Sequence, residues 1–191
     1  WSSPADALAS AANLLAGQGW KAGEGWGCEV TLPKNFAYAD ADIDDTRPLS
    51  EWRSRGLRRA DGGALPSGDG PASIYLPAGA RGPAFLVLPN FRVILKYNNA
   101  ASYALAVAVL GDRIVGRPGI KGDWPRDDRP MSRDERVRFQ QALAAAGFDP
   151  GAPDGILGRR TRSATRDYQK AHGLLADGYP TADLLAAVET R

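Results

Sequence analysis

Residues 84–112, AFLVLPNFRVILKYNNAASYALAVAVLGD, place the tightest limits on what this chain can fold into. Residues 84–88 form a short apolar run bounded by Gly82-Pro83 and Pro89, which is the pattern of a buried strand. Asn90 is expected to cap a helical turn through Phe91, Val93, Ile94 and Leu95. Tyr97, Asn98 and Asn99 then interrupt the apolar pattern. Helical spacing resumes over 102–112, with Tyr103, Ala106, Val107 and Leu110 on one face. Two apolar helices therefore meet at a Tyr-Asn-Asn corner. Polar atoms held between packed helices must be satisfied there or be offered to a ligand. The residues alone leave both readings open.

Leu88-Pro89-Asn90-Phe91, Lys96-Tyr97-Asn98 and Tyr103-Ala104 resemble the end of the catalytic domain of lytic murein transglycosylases of the membrane-bound type B class. That family has a lysozyme-like fold and cleaves the glycan strand of peptidoglycan. The resemblance implies that Tyr97, Asn98 and Tyr103 line the sugar cleft. The family often carries Ser-Thr between these elements. This chain has Ala100-Ala101, so any hydrogen bond from those hydroxyls is absent.

Composition narrows the alternatives. The chain has 191 residues, 43% hydrophobic and 24% charged, which suits one large domain or two small ones and not a disordered chain. A net charge of +2 gives no argument for nucleic acid, although arginine pairs stand at 58–59 and 159–160. No apolar run approaches the length of a membrane span. The sequence opens on Trp1 with no recognisable leader, and is expected to be a processed or truncated piece. One cysteine, Cys28, excludes an internal disulfide and reads as a small buried residue in a strand. One histidine, His172, argues against a zinc hydrolase, which needs several ligands, and against a nucleophile–histidine pair with the distant Cys28.

Ser3, Pro4 and Asp6 form a helix start, followed by Ala7, Leu8, Ala11, Ala12, Leu14 and Leu15 on an apolar face, with Gly17 and Gly19 ending it. This opening segment also resembles the transglycosylase family, where it follows a calcium-binding loop in some members. Asp6 matches the last carboxylate of that loop. One carboxylate cannot hold Ca²⁺, which takes six or more oxygens, so Asp6 also reads as a helix N-terminal charge. No cofactor is expected for this chain, with calcium left open for a complete protein. Residues 26–33, 73–77 and 84–88 read as strands of a small antiparallel sheet, with a short helix near Leu49–Trp52. RPLSEW, RRADGGALP and PAGARGPAFLVLPNF also resemble segments of this family branch. All five tryptophans, Trp1, Trp20, Trp26, Trp52 and Trp124, lie in the first 124 residues, as suits either a core or a glycan cleft.

Residues 115–130, with three prolines and three glycines, read as a linker. Beyond it, Ser132 and Glu135 form a capping box for a helix whose apolar face includes Val137, Leu143 and Ala144. Thr161 is expected to cap a second helix through Tyr168, and Thr181 a third ending near Val188. His172 is expected to be exposed or a helix C-terminal charge. Gln140-Gln141-Ala142-Leu143, the 147–158 loop, Thr161, Tyr168-Gln169 and Asp177-Gly178-Tyr179-Pro180 resemble the peptidoglycan-binding type 1 domain. By that resemblance a ligand groove lies beside Asp154-Gly155.

The expected fold is α+β: residues 1–115 as the C-terminal part of a lysozyme-like transglycosylase domain with a small antiparallel sheet, 116–130 as linker, and 131–191 as an all-α three-helix peptidoglycan-binding domain. The implied activity is cleavage of the MurNAc–GlcNAc β-1,4 bond with a 1,6-anhydro product, using one glutamate as acid. In the family that glutamate lies in the N-terminal half of the domain, and Glu24, Glu29 and Glu51, in loop or strand segments, match non-catalytic family positions; the resemblance therefore implies that the acid stands upstream of Trp1 and that the chain alone is inactive. Its partners would be glycan strands and the N-terminal half of its own catalytic domain, in the periplasm or envelope of a Gram-negative bacterium. The alternatives are a non-catalytic wall-anchoring module, or an amidase-like hydrolase, against which the single histidine argues.

Overall fold

The apolar run ending at Leu88 lies at the centre of a five-stranded sheet. In the computed structural model, which describes residues 3–190, the strands are β1 Gly27–Thr31, β2 Arg47–Pro48, β3 Arg58–Arg59, β4 Pro71–Tyr75 and β5 Ala84–Val87. Their spatial order is β2-β4-β5-β1-β3, and all four neighbouring pairs are antiparallel. β5 is flanked on both edges and buried at every position, which explains a continuous apolar run where an edge strand would alternate. Gly27 opens β1 because the backbones approach closely there. A Cβ at Gly27 would stand 2.2 Å from the Leu86 carbonyl oxygen.

The helices are α1 Pro4–Gly17, α2 Leu49–Ser54, α3 Pro89–Tyr97, α4 Ala101–Ile114, α5 Arg133–Ala145, α6 Arg159–Ala171 and α7 Ala182–Glu189. Single 3-10 turns occupy Tyr38–Asp40 and Gly79–Arg81. Among the described residues no single helix is long and apolar enough to cross a membrane; α3 and α4 together turn through 117° at the Tyr-Asn-Asn corner. The chain divides into two compact units. The first comprises Trp1–Phe36, Asp42–Pro77 and Pro83–Gly122, and the second comprises Ala37–Ala41, Ala78–Gly82 and Asp123–Arg191.

In the first unit, Trp26, Tyr75, Phe85, Val87, Phe91, Ile94, Ala104, Leu105 and Ala108 form one core between the sheet and helices α3 and α4. Asn90 does not cap α3. The cap position is Leu88, Pro89 enters the first turn, and Asn90 is fully buried inside the helix. Its amide donates to the Lys21 and Glu24 carbonyls at 2.9 and 2.8 Å, and its Oδ1 accepts from the Lys21 N–H at 2.9 Å. The loop after α1 has no ladder partners of its own, so a side chain 69 residues away supplies them.

The facing of α4 also differs from the sequence expectation. Ala104, Leu105 and Ala108 are the buried residues, while Tyr103, Val107, Leu110 and Ile114 are exposed. The helix is apolar almost all round, so periodicity offers two stripes and packing chooses one. α1 is capped by Ser3, whose hydroxyl accepts from the Asp6 N–H at 3.3 Å, and it buries none of its residues. Cys28 is buried in β1, and burial pushes its thiol up to about 11.

In the second unit, Phe139, Leu143, Ala164, Tyr168, Leu184, Leu185 and Val188 fill the centre of a three-helix bundle. Ala144 is exposed and does not join it. The Ser132–Glu135 capping box forms as expected, and Arg129 adds an ion pair to Glu135. These bonds, the Arg129 pair foremost, draw the Glu135 carboxyl down to about 2. Thr181 caps α7. Thr161 does not cap α6: it lies inside the helix, buried, and donates to the Pro150 carbonyl at 3.1 Å, while Gly158 holds the cap position. His172 is half-buried at the C-cap of α6 and stacks on Tyr168 at 4.1 Å. The proline- and glycine-rich stretch after α4 is partly packed: Ile120 rests on the first core, and Asp127 pairs with Arg81 within the second unit.

Candidate functional site

Two places carry the sequence-predicted residues, one in each unit. The first is the corner between α3 and α4. α3 ends because Asn98 leaves helical conformation, at φ −143, after closing a last bond to Ile94. Asn98 Oδ1 accepts from the Ala100 N–H at 3.1 Å, a local turn that starts α4. Ala100 stands at the cap of α4 with no side-chain bond to offer. The corner brings Tyr97 and Tyr103 together. Their rings stack at 6.1 Å with 23° between planes, and both are open to solvent, Tyr97 at 59% and Tyr103 at 38%. An exposed pair of near-parallel rings is an apolar platform of the kind that packs on the carbon face of a sugar. Asn98 therefore commits one lone pair of its oxygen to the turn, and its NH₂ group stays available to a ligand.

The tryptophans divide. Trp26 and Trp52 are core residues, tied by their indole N–H to Asp112 and to the Ala72 carbonyl, both at 2.9 Å. Trp20 packs partly against the first core, Trp124 is exposed, and Trp1 lies outside the described residues.

Four of the five glutamates of the chain face a basic side chain, and the fifth, Glu29, is bonded to backbone N–H groups. Glu24 lies 3.7 Å from Lys21, and Glu189 lies 3.1 Å from Arg138. Glu29 accepts the Lys121 and Gly122 N–H groups at 2.7 and 2.6 Å. Glu51 is bonded to Arg47 and Arg55, and the Arg47 hydrogen bond leads in holding its carboxyl below the ordinary value. Glu135 is the capping-box acid. A general acid in a glycan cleft needs an environment that keeps its proton on, the opposite of the Glu51 and Glu135 settings. Asp6 stands in the first turn of α1, and among the described residues no group of three or more His, Cys, Asp or Glu side chains could hold a metal ion.

The second place is a pair of Asp-Gly loops in the bundle. Asp154 Oδ1 accepts from the Ile156 N–H at 2.7 Å, and the Gly155 N–H donates to Gln140 Oε1 at 2.8 Å. Gln140, fully buried on α5, returns its amide to Asp154 Oδ1 at 3.3 Å. The other loop repeats this arrangement. Asp177 Oδ1 accepts from the Tyr179 N–H at 2.9 Å and from Gln169 Nε2 at 2.9 Å, and the Gly178 N–H donates to Gln169 Oε1 at 2.8 Å. Both glycines take positive φ, +77 and +68, which the turn requires. Both aspartates stand four residues before the next helix's cap, Gly158 and Thr181. Most of the polar atoms of Asp154 and Gly155 are thus committed to the fold. The two glutamine clamps were not foreseen; the sequence trace they leave is a buried aromatic followed by Gln, Phe139-Gln140 and Tyr168-Gln169, ahead of each Asp-Gly step.

The fold is thus a sheet packed under a bent helix pair with an open aromatic corner, followed by a three-helix bundle with two Asp-Gly loops. Comparison with known families assigns both parts. The family described as Transglycosylase SLT domain matches residues 1–112, and the peptidoglycan binding domain family matches residues 132–188. This chain belongs to the SLT lytic transglycosylase family. Among solved structures, it is 53% identical to SltB3 of Pseudomonas aeruginosa in complex with NAG-anhNAM-pentapeptide, with a TM-score of 0.93 over 99% of this chain. To the complex of the same enzyme with NAG-NAM-pentapeptide it is 54% identical, with a TM-score of 0.93 over 98% of this chain. It spans 51% of the length of those relatives. No curated protein sequence matches the chain.

Proposed function

We propose that this chain is the C-terminal part of a lytic transglycosylase that cleaves the MurNAc–GlcNAc β-1,4 bond of peptidoglycan in the periplasm of a Gram-negative bacterium. Its Tyr97–Tyr103 corner forms one wall of the glycan cleft, with the Asn98 amide as a donor to sugar oxygens, and its bundle holds the wall. The observation that carries the division of labour is the setting of the glutamates: Glu24, Glu51, Glu135 and Glu189 each face a basic side chain, and Glu29 is spent on the Lys121 and Gly122 N–H groups. The acid therefore belongs to the N-terminal half of the catalytic domain, and this chain alone is inactive. That glutamate gives its proton to the glycosidic oxygen as the C1–O4 bond breaks. The muramyl 6-hydroxyl then closes on C1, returning its proton to the carboxylate and leaving the 1,6-anhydro ring.

The exposed apolar face of the first unit supports a missing partner. Leu110 and Ile114 on α4 are 60% and 76% exposed, and Leu8 on α1 is 72% exposed. The relatives carry about as much chain again as is aligned here, and the preceding half of the same domain is the occupant this face fits.

Two assays test the reading. The chain should sediment with purified insoluble peptidoglycan; a folded chain that stays in the supernatant refutes wall binding. In a protein carrying both halves, Glu→Gln at each of the five positions should leave release of anhydro-muropeptides intact. A second reading, a non-catalytic wall anchor, is favoured by the Ala100-Ala101 departure. It predicts no anhydro product from the complete protein.

A further inference from the structure

A cleft of about 390 Å³ opens in the first unit between the end of α2, the edge strand β3 and the loop after it. Arg53, Leu57, Arg58, Arg59 and residues 62–65 line it, with no carboxylate among them. None of these residues belongs to α3 or α4, which carry the Tyr97–Tyr103 corner. Three guanidinium groups around one opening repel one another, and an anion between them relieves that repulsion.

The chain itself shows how this loop takes a carboxylate. Arg59 Nε donates to Asp61 Oδ1 at 2.9 Å, its Nη2 donates to Asp61 Oδ2, and the Gly63 N–H adds a bond to Oδ1 at 2.9 Å. The planar fork matches the planar carboxylate. These bonds, the Arg59 pair foremost, draw the Asp61 carboxyl down to about 2. Asp61 offsets one of the three charges, and two remain. Arg53 gives one N–H to the Pro66 carbonyl and makes no other hydrogen bond or ion pair among the described residues. Arg58 is exposed, and its side chain makes none at all among the described residues. The N–H groups of Ala64 and Leu65, next along the loop from Gly63, likewise have no acceptor among them. Leu57 is buried and Leu65 half-buried, so the uncommitted donors stand beside apolar surface.

We propose, resting on the wall-binding reading above for the source of the ligand, that this cleft binds the free C-terminal carboxylate of a short peptide. Arg58 and Arg53 receive the carboxylate, the Ala64 and Leu65 N–H groups add to the cradle, and Leu57 and Leu65 pack on the small side chain of the terminal residue. The volume suits a group of several heavy atoms and not a bare ion. Phosphate shares the charge, but it leaves the leucine side of the cleft unfilled. Wall peptides end in a free carboxylate where they are not cross-linked through it, so the cleft distinguishes free peptide ends from joined ones.

The test uses the whole chain, labelled with nitrogen-15, and follows the Gly63, Ala64 and Leu65 amide resonances during titration. The probes are N-acetyl-alanyl-alanine with its carboxyl free, the same dipeptide as its C-terminal amide, and inorganic phosphate. The free acid should shift these resonances saturably, and the amide should not. Arg58→Gln should weaken the free acid about tenfold, with Tm unchanged because the Arg58 side chain holds nothing in the fold. Arg58→Lys keeps the charge without the fork and should lose less. Equal affinity for acid and amide, or unchanged affinity in Arg58→Gln, overturns the proposal. Phosphate binding tighter than the free acid assigns the cleft to phosphate groups and overturns the peptide. Failure of the chain to sediment with intact wall, with carboxylate-dependent binding kept, upholds the cleft and refutes only the wall as its source.

Discussion

Replacing Asn90 tests whether the loop after α1 is held by one buried side chain. Asn90→Ala removes three hydrogen bonds at once, to the Lys21 N–H and the Lys21 and Glu24 carbonyls. Each is worth about 1 kcal/mol net, and a partly buried N–H left without an acceptor costs more than a carbonyl left without a donor. The expected loss is about 3 kcal/mol, or roughly a 10 °C fall in Tm for a unit of this size. Thermal unfolding followed by tryptophan fluorescence reads the change, because Trp26 and Trp20 both belong to the affected core. Asn90→Leu separates bonding from packing: it fills the volume, restores none of the bonds, and should cost about as much. Hydrogen exchange at the Lys21 amide should quicken in both variants. A loss below about 1 kcal/mol in both, with Lys21 still protected, would refute the assignment.

Other predictions follow from single contacts. Ala100→Ser supplies the hydroxyl that the cap of α4 lacks and should stabilise the first unit by about 1 kcal/mol in chemical denaturation; no gain would mean that the cap geometry does not admit the bond. Glu135 has a folded pKa of about 2 against an ordinary 4.5, so its contribution is complete above the ordinary value and is lost as pH falls towards 2. Glu135→Gln should therefore lower Tm at neutral pH and flatten its acid dependence over that window; an unchanged acid slope contradicts the capping-box account. Tyr97→Phe and Asn98→Ala, made in a protein carrying both catalytic halves, should lower turnover more than Tm. Equal losses of rate and stability would make the corner purely structural.

Much of the fold was legible because it rests on local chemistry. β1, β4 and β5 follow from apolar runs between Pro and Gly, the caps at Ser3 and Ser132 follow from the acids three residues on, and the cap at Thr181 follows from a threonine ahead of a helical run. β2 and β3 are two residues each and exist only through their partners across the sheet. The facing of α4 was ambiguous because both of its stripes are apolar. Asn90 and Thr161 look like caps in sequence; inside the fold both serve distant backbone, at Lys21 and Pro150. At the sites, Tyr97 and Tyr103 were singled out only by resemblance, and neither their ring stacking nor the Asn98 turn bond was legible. The glutamine clamps were hidden by the 14 and 8 residues that separate each Gln from its Asp.

The central claim, a transglycosylase whose acid lies on the other half of the catalytic domain, is tested most directly by mass spectrometry of muropeptides. Purified wall would be incubated with this chain alone and with a protein carrying both halves. The account predicts 1,6-anhydro-muropeptides from the complete protein only. Such products from the chain alone would make one of its five glutamates catalytic and contradict the account; their absence from both would leave a wall-binding module without an activity.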